Sequence, residues 1–328
     1  MKKIIMQGPK KSKVEEVEIP KINDDQLLVK VLYTGLCHSE WYPWTVAKPG
    51  EMFGHEPMGI VADVGKNVKG FKIGDRVSGL GSGNAEYTVL NPAVTVHVPD
   101  NVKDEDAVAE PLSCLLSAAA RVPIADIGNS VAVVGAGYMG LGIISLLKLK
   151  GAGKIVAIDQ RKEARENALK YGATEVYAPE EIPDKYKLDW EIWGRDDLTR
   201  AGEPVDIFTQ GFQSVVEFTG TQSGLRLAGD LVSAHGFLGI GGYHNDSERM
   251  IDFKFWNIKA IVANSLHERR TDYQTKLCAN ALNLISSGQW KFTGLTTHIY
   301  KMEEFDQANI DMDQKNGGFI KGLIRCSE

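Results

Sequence analysis

Cysteine is scarce in this chain. There are four among 328 residues, Cys37, Cys114, Cys278 and Cys326, and no two of them form a CxxC pair. Such spacing gives no disulfide framework, and a reducing, cytoplasmic setting is expected. Long apolar runs are also missing. No stretch approaches the ~18 apolar residues of a spanning helix. The opening segment, MKKIIMQGPKKSKVEEVEIP, has too short an apolar run after its two lysines for a signal peptide. A soluble protein with no membrane partner is expected. The chain has no basic excess either. Its formal net charge is -6, which argues against a broad phosphate-binding face for DNA or RNA.

What is present is ordinary globular composition, 43% hydrophobic and 24% charged. The length suggests two domains and is enough to bury a core without help from a metal or disulfide. The first ~115 residues are rich in strand signals. Val29 to Tyr33, Gly59 to Val64 and Ala85 to Leu90 are short runs bounded by Gly, Pro, Asn or Asp, and predict a compact antiparallel or barrel-like domain. The character changes near Ala109-Glu110-Pro111, where Leu112 to Ala120 reads as a buried helix. From Ser130 to Val134 onward, strands (Ile155 to Ile158, Val215 to Thr219, Phe237 to Ile240) alternate with helical spacing (Lys162 to Tyr171), the pattern of a parallel α/β sheet. Residues 177–210, with Trp190 and Trp193, interrupt that rhythm without a clear period. After Ile261 a helix (Asp272 to Ser286) and short strands are expected, and Asp252 to Ala263 is expected to be an edge strand. The predicted division is 1–120 with 267–328, and 121–266.

The segment Val131-Ala-Val-Val-Gly135-Ala-Gly137-Tyr138-Met139-Gly140 is a GxGxxG that follows a strand and opens a helix. A lone GxGxxG is weak, but this one has its context. The first glycine allows the tight turn, the second lets the backbone approach a pyrophosphate, and the third allows close packing of helix on strand. Amides at the helix N-terminus would face the phosphates. Asp159 ends the next strand, 19 residues after Gly140. A carboxylate there binds the ribose hydroxyls of NAD and repels the extra phosphate of NADP. Gln160 and Arg161 follow it, and Arg161 weakens that exclusion slightly.

Two short segments carry metal-binding chemistry: Gly35-Leu-Cys37-His38-Ser39-Glu40 and Gly54-His55-Glu56. Thiolate, imidazole and carboxylate suit zinc, and a catalytic zinc keeps three protein ligands and one open position. Cys37 and His55 are the obvious pair, while Glu56 and Glu110 compete for the remaining place. Taken singly, each has a blander reading: a buried apolar cysteine, a hydrogen-bonded histidine, a solvated acid.

The pieces GLCHSE, GHEPMGIVADVG, GFKIGDRV, AEYTVL, AEPLSC and VAVVGAGYMG occur in an order that resembles the zinc-dependent medium-chain dehydrogenase/reductase family. The likeness covers the first domain and the start of the second well, and the rest loosely. Glu110 in an Ala-Glu-Pro-Leu context is more similar to the sorbitol and threonine dehydrogenase subgroup than to liver-type alcohol dehydrogenases, which place a cysteine there. The resemblance implies a GroES-like β-rich catalytic domain joined to a Rossmann NAD-binding domain. It implies that Cys37, His55 and Glu56 bind catalytic zinc, with Glu110 binding the metal directly or through its water. It also implies that Ser39 passes the alcohol proton, that His38 lies beside the cofactor pyrophosphate, and that Glu40 holds His55. Lys321, in Gly-Phe-Ile-Lys-Gly, is expected either to reach the cofactor phosphates or to be an exposed lysine. Trp41, Tyr42 and Trp44 are expected either to wall the substrate pocket or to fill a core turn.

One departure is plain. Family members commonly carry a four-cysteine lobe for a structural zinc after the GDRV motif, but no cysteine lies between Cys37 and Cys114. One zinc per chain is therefore expected. The implied activity is NAD-linked interconversion of a secondary alcohol (a polyol, sugar, cyclitol or hydroxy amino acid) and its ketone, in a homodimer or homotetramer. Two readings compete with it: a zinc-free quinone or enoyl reductase of the same superfamily, and a non-catalytic dinucleotide-binding protein.

Overall fold

A computed structural model describes residues 1–124, 128–193, 199–200, 203–204 and 210–328. In chain order its strands and α-helices begin with β1 (Lys2–Gly8), β2 (Lys11–Glu16), β3 (Leu27–Gly35), α1 (Trp41–Thr45), β4 (Pro57–Val64), β5 (Arg76–Gly79), β6 (Tyr87–Leu90), β7 (Thr95–His97) and α2 (Ala109–Arg121). Then come β8 (Ser130–Val134), α3 (Tyr138–Leu149), β9 (Lys154–Ile158), α4 (Lys162–Tyr171), β10 (Glu175–Tyr177), α5 (Trp190–Trp193), the short pieces β11 (Thr199–Arg200) and β12 (Glu203–Pro204), β13 (Phe212–Glu217), α6 (Gln222–Leu231), β14 (Val232–Ile240), α7 (Phe253–Ile258) and β15 (Val262–Ser265). The chain closes with α8 (Thr271–Ser286), β16 (Thr296–Lys301), α9 (Phe305–Gln314) and β17 (Lys321–Arg325).

Two units form, residues 1–114 with 268–328, and residues 115–267. The first boundary falls inside α2, after Cys114, rather than at its end. In the first unit, a seven-stranded sheet runs β16-β17-β3-β4-β5-β7, with β6 also paired to β3. All its ladders are antiparallel except β16 with β17. Leu27, Val29, Val61, Val77 and Leu90 alternate inward and close one core. This is the GroES-like unit, β-rich as its short β-branched runs require.

The second unit holds a six-stranded sheet in the order β10-β9-β8-β13-β14-β15. Every ladder in it is parallel. Renumbered within the unit, this is the 3-2-1-4-5-6 order of a doubly wound Rossmann sheet. Its central strands β8 and β9 read as continuous apolar runs, as strands covered on both faces do; Val133, Ile155 and Val215 are fully buried.

Two expectations are corrected here. Asp252 to Ala263 is not a single edge strand. The Asp252 carboxylate accepts from the Phe255 N–H at 3.0 Å and caps α7, and the strand begins only at Val262. The run Val215 to Thr219 stops as a strand at Glu217, whose side chain turns the following backbone. Within 177–210, positions 194–198, 201–202 and 205–209 lie outside the described residues.

Lys259 is fully buried and donates to the carbonyls of Leu188, Gly229 and Val232 at 3.1, 2.6 and 2.7 Å. It ties together the ends of α6 and α7 and the segment before α5. Burial pulls its pKa down to about 8. Asp230 nearby is pushed up to about 6, chiefly by burial, against the pull of Lys259. A carboxyl whose folded pKa is raised stabilises the fold below its ordinary pKa, and that contribution is lost as pH rises through about 6. Asp230→Asn cannot ionise. It should therefore gain about 1–2 kcal/mol at pH 8 and close to nothing at pH 4. Urea melts at the two pH values check this; an equal effect at both contradicts it.

Candidate active site

β3 ends at Gly35, and Cys37 then leaves the sheet in extended conformation before a single turn over His38–Glu40. His55 and Glu56 lie immediately before β4, which pairs with β3 through Thr34↔Pro57. Register thus brings residues about twenty apart in sequence to the same sheet end. One donor atom each from Cys37, His55 and Glu56 lie within 4.8 Å of one another. Gly35 is the residue that makes room: a Cβ there would stand 1.8 Å from Glu56 Oε2.

The surroundings suit a cation. Glu56 is 1% exposed, and its Oε1 is buried with no hydrogen-bond partner. Glu40 Oε1 lies 2.6 Å from His55 Nδ1 and accepts from the Gly54 N–H at 2.8 Å, so one carboxylate orients the imidazole and its loop. Burial works against a charged imidazole at His55. The Cys37 and Glu40 side chains bonded to it, with Glu56 nearby, nevertheless push its pKa up to about 12. Sulfur, nitrogen and oxygen donors, one with an orphaned lone pair, match the ligand set of zinc.

Around the trio, the Ser39 hydroxyl donates to Cys37 Sγ at 3.1 Å. Glu110 opens α2, outside the three-residue donor cluster. Its Oε1 accepts from Gln274 Nε2 at 3.0 Å and from the Cys114 thiol at 3.3 Å. Burial, then the Glu56 charge, raise its pKa. Lys321 is buried. Its Nζ donates to the Leu36 carbonyl at 2.9 Å and pairs with Glu56 Oε2 at 2.6 Å. Its ammonium thus lies against the Glu56 carboxylate. His38 stacks on Trp41 and meets Asp313 at 3.3 Å. Trp44 is a core residue rather than a pocket wall, 2% exposed with its indole N–H on Asp306. Tyr42 is exposed.

In the second unit, Gly135 turns at φ +94° and its N–H meets the Ile158 carbonyl at 2.8 Å. A Cβ on Gly140 would stand 1.9 Å from Gly135 O, so helix and turn are in contact. Above Gly137 the space is open, with only Arg161 at 4.0 Å from a built Cβ. No side chain caps α3, whose first turn holds Tyr138, Met139 and Gly140. That geometry is suited to an anion at the helix start. Asp159 is held more tightly than its sequence context suggests. Oδ1 accepts from the N–H and Nε of Arg161, and Oδ2 from Arg161 and the Ala136 N–H, all at 2.9–3.1 Å. Arg165 donates to the carbonyls of Asp159 and Gln160.

Sequence reasoning did not find Gln274 or the bond from Cys114 to Glu110. Gln274 meets Glu110 from 164 positions away, and no short-range pattern marks such a pair. Cys114 was visible as one helical turn beyond Glu110, a spacing that shares a helix face.

Comparison with known proteins gives the family. Residues 23–100 match the model of the alcohol dehydrogenase GroES-like domain, and residues 139–285 that of the zinc-binding dehydrogenases. An L-threonine 3-dehydrogenase of Caldanaerobacter subterraneus is 30% identical over 89% of each chain. D-xylulose reductase A of Aspergillus oryzae is 27% identical over 98% of this chain and 95% of its own. Among solved structures, 2R,3R-butanediol dehydrogenase from Bacillus subtilis shares the fold at TM-score 0.79, with 22% identity and 99% of each chain covered. The chain belongs to the zinc-type medium-chain dehydrogenase/reductase family. No described helix is long and apolar enough to cross a membrane.

Proposed function

We propose that the chain is a zinc-dependent dehydrogenase that interconverts a secondary alcohol and its ketone with NAD. The observation that carries this is the Cys37–His55–Glu56 cluster with its orphaned buried oxygen. When bound, zinc supplies Lewis acidity toward the alcohol oxygen, and the nicotinamide supplies the hydride acceptor. The chain's own residues do the rest. Cys37, His55 and Glu56 hold the metal, and Glu40 fixes the imidazole. Lys321 offsets the charge of Glu56. Ser39, beside Cys37, relays the alcohol proton onward to solvent as it gives up its own, and Glu110, with its raised pKa, is a carboxylate that can accept a proton. Gly135, Gly137, Tyr138, Met139 and Gly140 cradle the pyrophosphate, and Asp159 takes the adenosine ribose. A non-catalytic dinucleotide-binding protein, or a zinc-free quinone or enoyl reductase, has no need of the clustered thiol, imidazole and carboxylate.

The relatives named as D-xylulose reductase and L-threonine 3-dehydrogenase favour a polyol, sugar, cyclitol or hydroxy amino acid as substrate. Metal analysis of the purified protein, with a screen of these alcohols read by NADH absorbance, tests the reading. Turnover in metal-free protein overturns it. Arg161→Ala uncovers Asp159 and removes a cation, so NAD⁺ should bind several-fold, roughly threefold to tenfold, tighter and NADP⁺ weaker. A loss of affinity for both cofactors would instead make Arg161 a general cofactor contact. The chain pairs with a second copy along β15, whose four residues are all exposed. Light scattering should report at least twice the chain mass; a monomer contradicts the pairing.

A further inference from the structure

Glu217 ends β13 and is fully buried. Its carboxylate accepts from the Thr219 N–H and, at 2.5 Å, from the Thr219 hydroxyl. It also accepts from the Gly220 N–H at 2.9 Å and from His244 Nε2 at 3.0 Å. His244 lies in the loop that follows β14. Its other nitrogen, Nδ1, accepts from Arg249 Nε at 2.9 Å, so the bonding partners assign the proton to Nε2. Arg249 in turn donates to the Gly220 carbonyl at 2.8 Å and pairs with Asp246. A carboxylate, an imidazole and a guanidinium therefore join two loops, 218–221 and 241–249, from both sides.

The loops are also in contact through the backbone. The N–H groups of Gly241 and Gly242 donate to the Glu217 carbonyl at 2.8 and 2.9 Å. A Cβ on Gly242 would stand 2.4 Å from Gly220 N and 2.6 Å from Glu217 Oε2. Burial alone would raise the pKa of Glu217; the bonds from His244 and Thr219 outweigh it and hold the carboxyl below its ordinary value. So much hydrogen bonding to one side chain is more than a strand end requires.

Position says what the device serves. In a doubly wound sheet the ligand lies outside the carboxyl ends of the strands where the order reverses. Here that point is between β8 and β13. A Cβ on Gly135 would stand 2.9 Å from Thr219 Cγ2, so the glycine turn and the 218–221 loop are neighbours. The pyrophosphate belongs at the start of α3 and the adenosine ribose at Asp159, which follows β9 on one side of β8. The other half of an extended dinucleotide must then run over β13 and β14.

We propose that the Glu217–His244–Arg249 chain is a positioning device for the nicotinamide end of the cofactor, holding loops 218–221 and 241–244 at a fixed separation so that they form a ready-made wall for the nicotinamide and its ribose. These three are positioning residues, acting through the loops they hold. The inference rests on the dinucleotide-binding role proposed above. It adds which residues preorganise which half of the site.

Two ligands separate the halves: NADH, and ADP, which lacks the nicotinamide and its ribose. Calorimetric titration of the full chain is run for the wild type, His244→Ala, Arg249→Met and His244→Gln. For His244→Ala the NADH dissociation constant should rise about tenfold, the cost of reordering a loop on binding. ADP affinity should stay within about twofold, because neither removed group serves that half. Arg249→Met, at the outer end of the chain, should show the same split to a smaller degree and keeps the test open if His244→Ala does not fold. His244→Gln carries one donor and one acceptor and should recover most of the NADH affinity. Equal weakening of NADH and ADP, or no change in either, overturns the proposal. A wild-type protein that binds neither ligand overturns the dinucleotide reading itself, and is distinguishable because the failure precedes any substitution.

Discussion

Cys37→Ser should leave the purified chain without its metal and lower alcohol-dependent NADH formation on the order of a thousandfold. The size follows from the several kcal/mol that a Lewis acid contributes to a developing alkoxide, at about 1.4 kcal/mol per factor of ten. Serine is a poor zinc ligand in place of thiolate, so His55 and Glu56 are left as a two-donor site, short of the three protein ligands a catalytic zinc keeps. The fold should survive, because Cys37 is only half-buried and belongs to none of the apolar clusters. Elemental analysis and initial rates on the same preparation check the expectation together. A variant that loses metal yet keeps wild-type turnover would sink the zinc mechanism; one that keeps metal would move the third ligand to Glu110.

Lys321→Met should cost about 3–5 kcal/mol of stability in the presence of a chelator, because it leaves the Glu56 carboxylate buried without its counter-charge. With zinc present the loss should shrink, since a divalent cation beside Glu56 replaces the missing ammonium. Denaturant melts with chelator and with zinc give the comparison. Equal losses in both conditions would mean that Glu56 does not face the metal. NADH affinity provides a second arm. If the variant keeps its stability but binds NADH about tenfold more weakly, Lys321 serves the cofactor phosphates after all.

Much of the architecture could be read without coordinates. Helices α4 and α8 lie within a residue of their expected bounds, because their buried residues recur at helical spacing, Ala164 and Ala168 in α4 and Leu277, Cys278, Ala281, Leu282 and Ile285 in α8. The β8 and β9 runs are uninterrupted apolar stretches and can only be covered on both sides. Asp252 to Ala263 misled because a short amphipathic helix and an exposed strand share the same aromatic and β-branched residues. Only the Asp252 cap separates them, and a cap is decided by local geometry rather than by composition.

The site divides in the same way. GLCHSE, GHE and the GxGxxG carry their groups in contiguous residues, so thiol, imidazole, carboxylate and glycine turn were nameable from the chain alone, as was the lack of a four-cysteine lobe. What those groups touch was not. Lys321 reaches Glu56 across 265 positions, Gln274 reaches Glu110 across 164, and His244 reaches Glu217 across 27. Each pair is set by how separate strands and helices are stacked, a long-range outcome that leaves no periodic or spacing signal. Motif chemistry is legible because each segment carries its polar groups within a few contiguous residues. Charge compensation and orientation are not, because any neighbour the fold brings near can supply them.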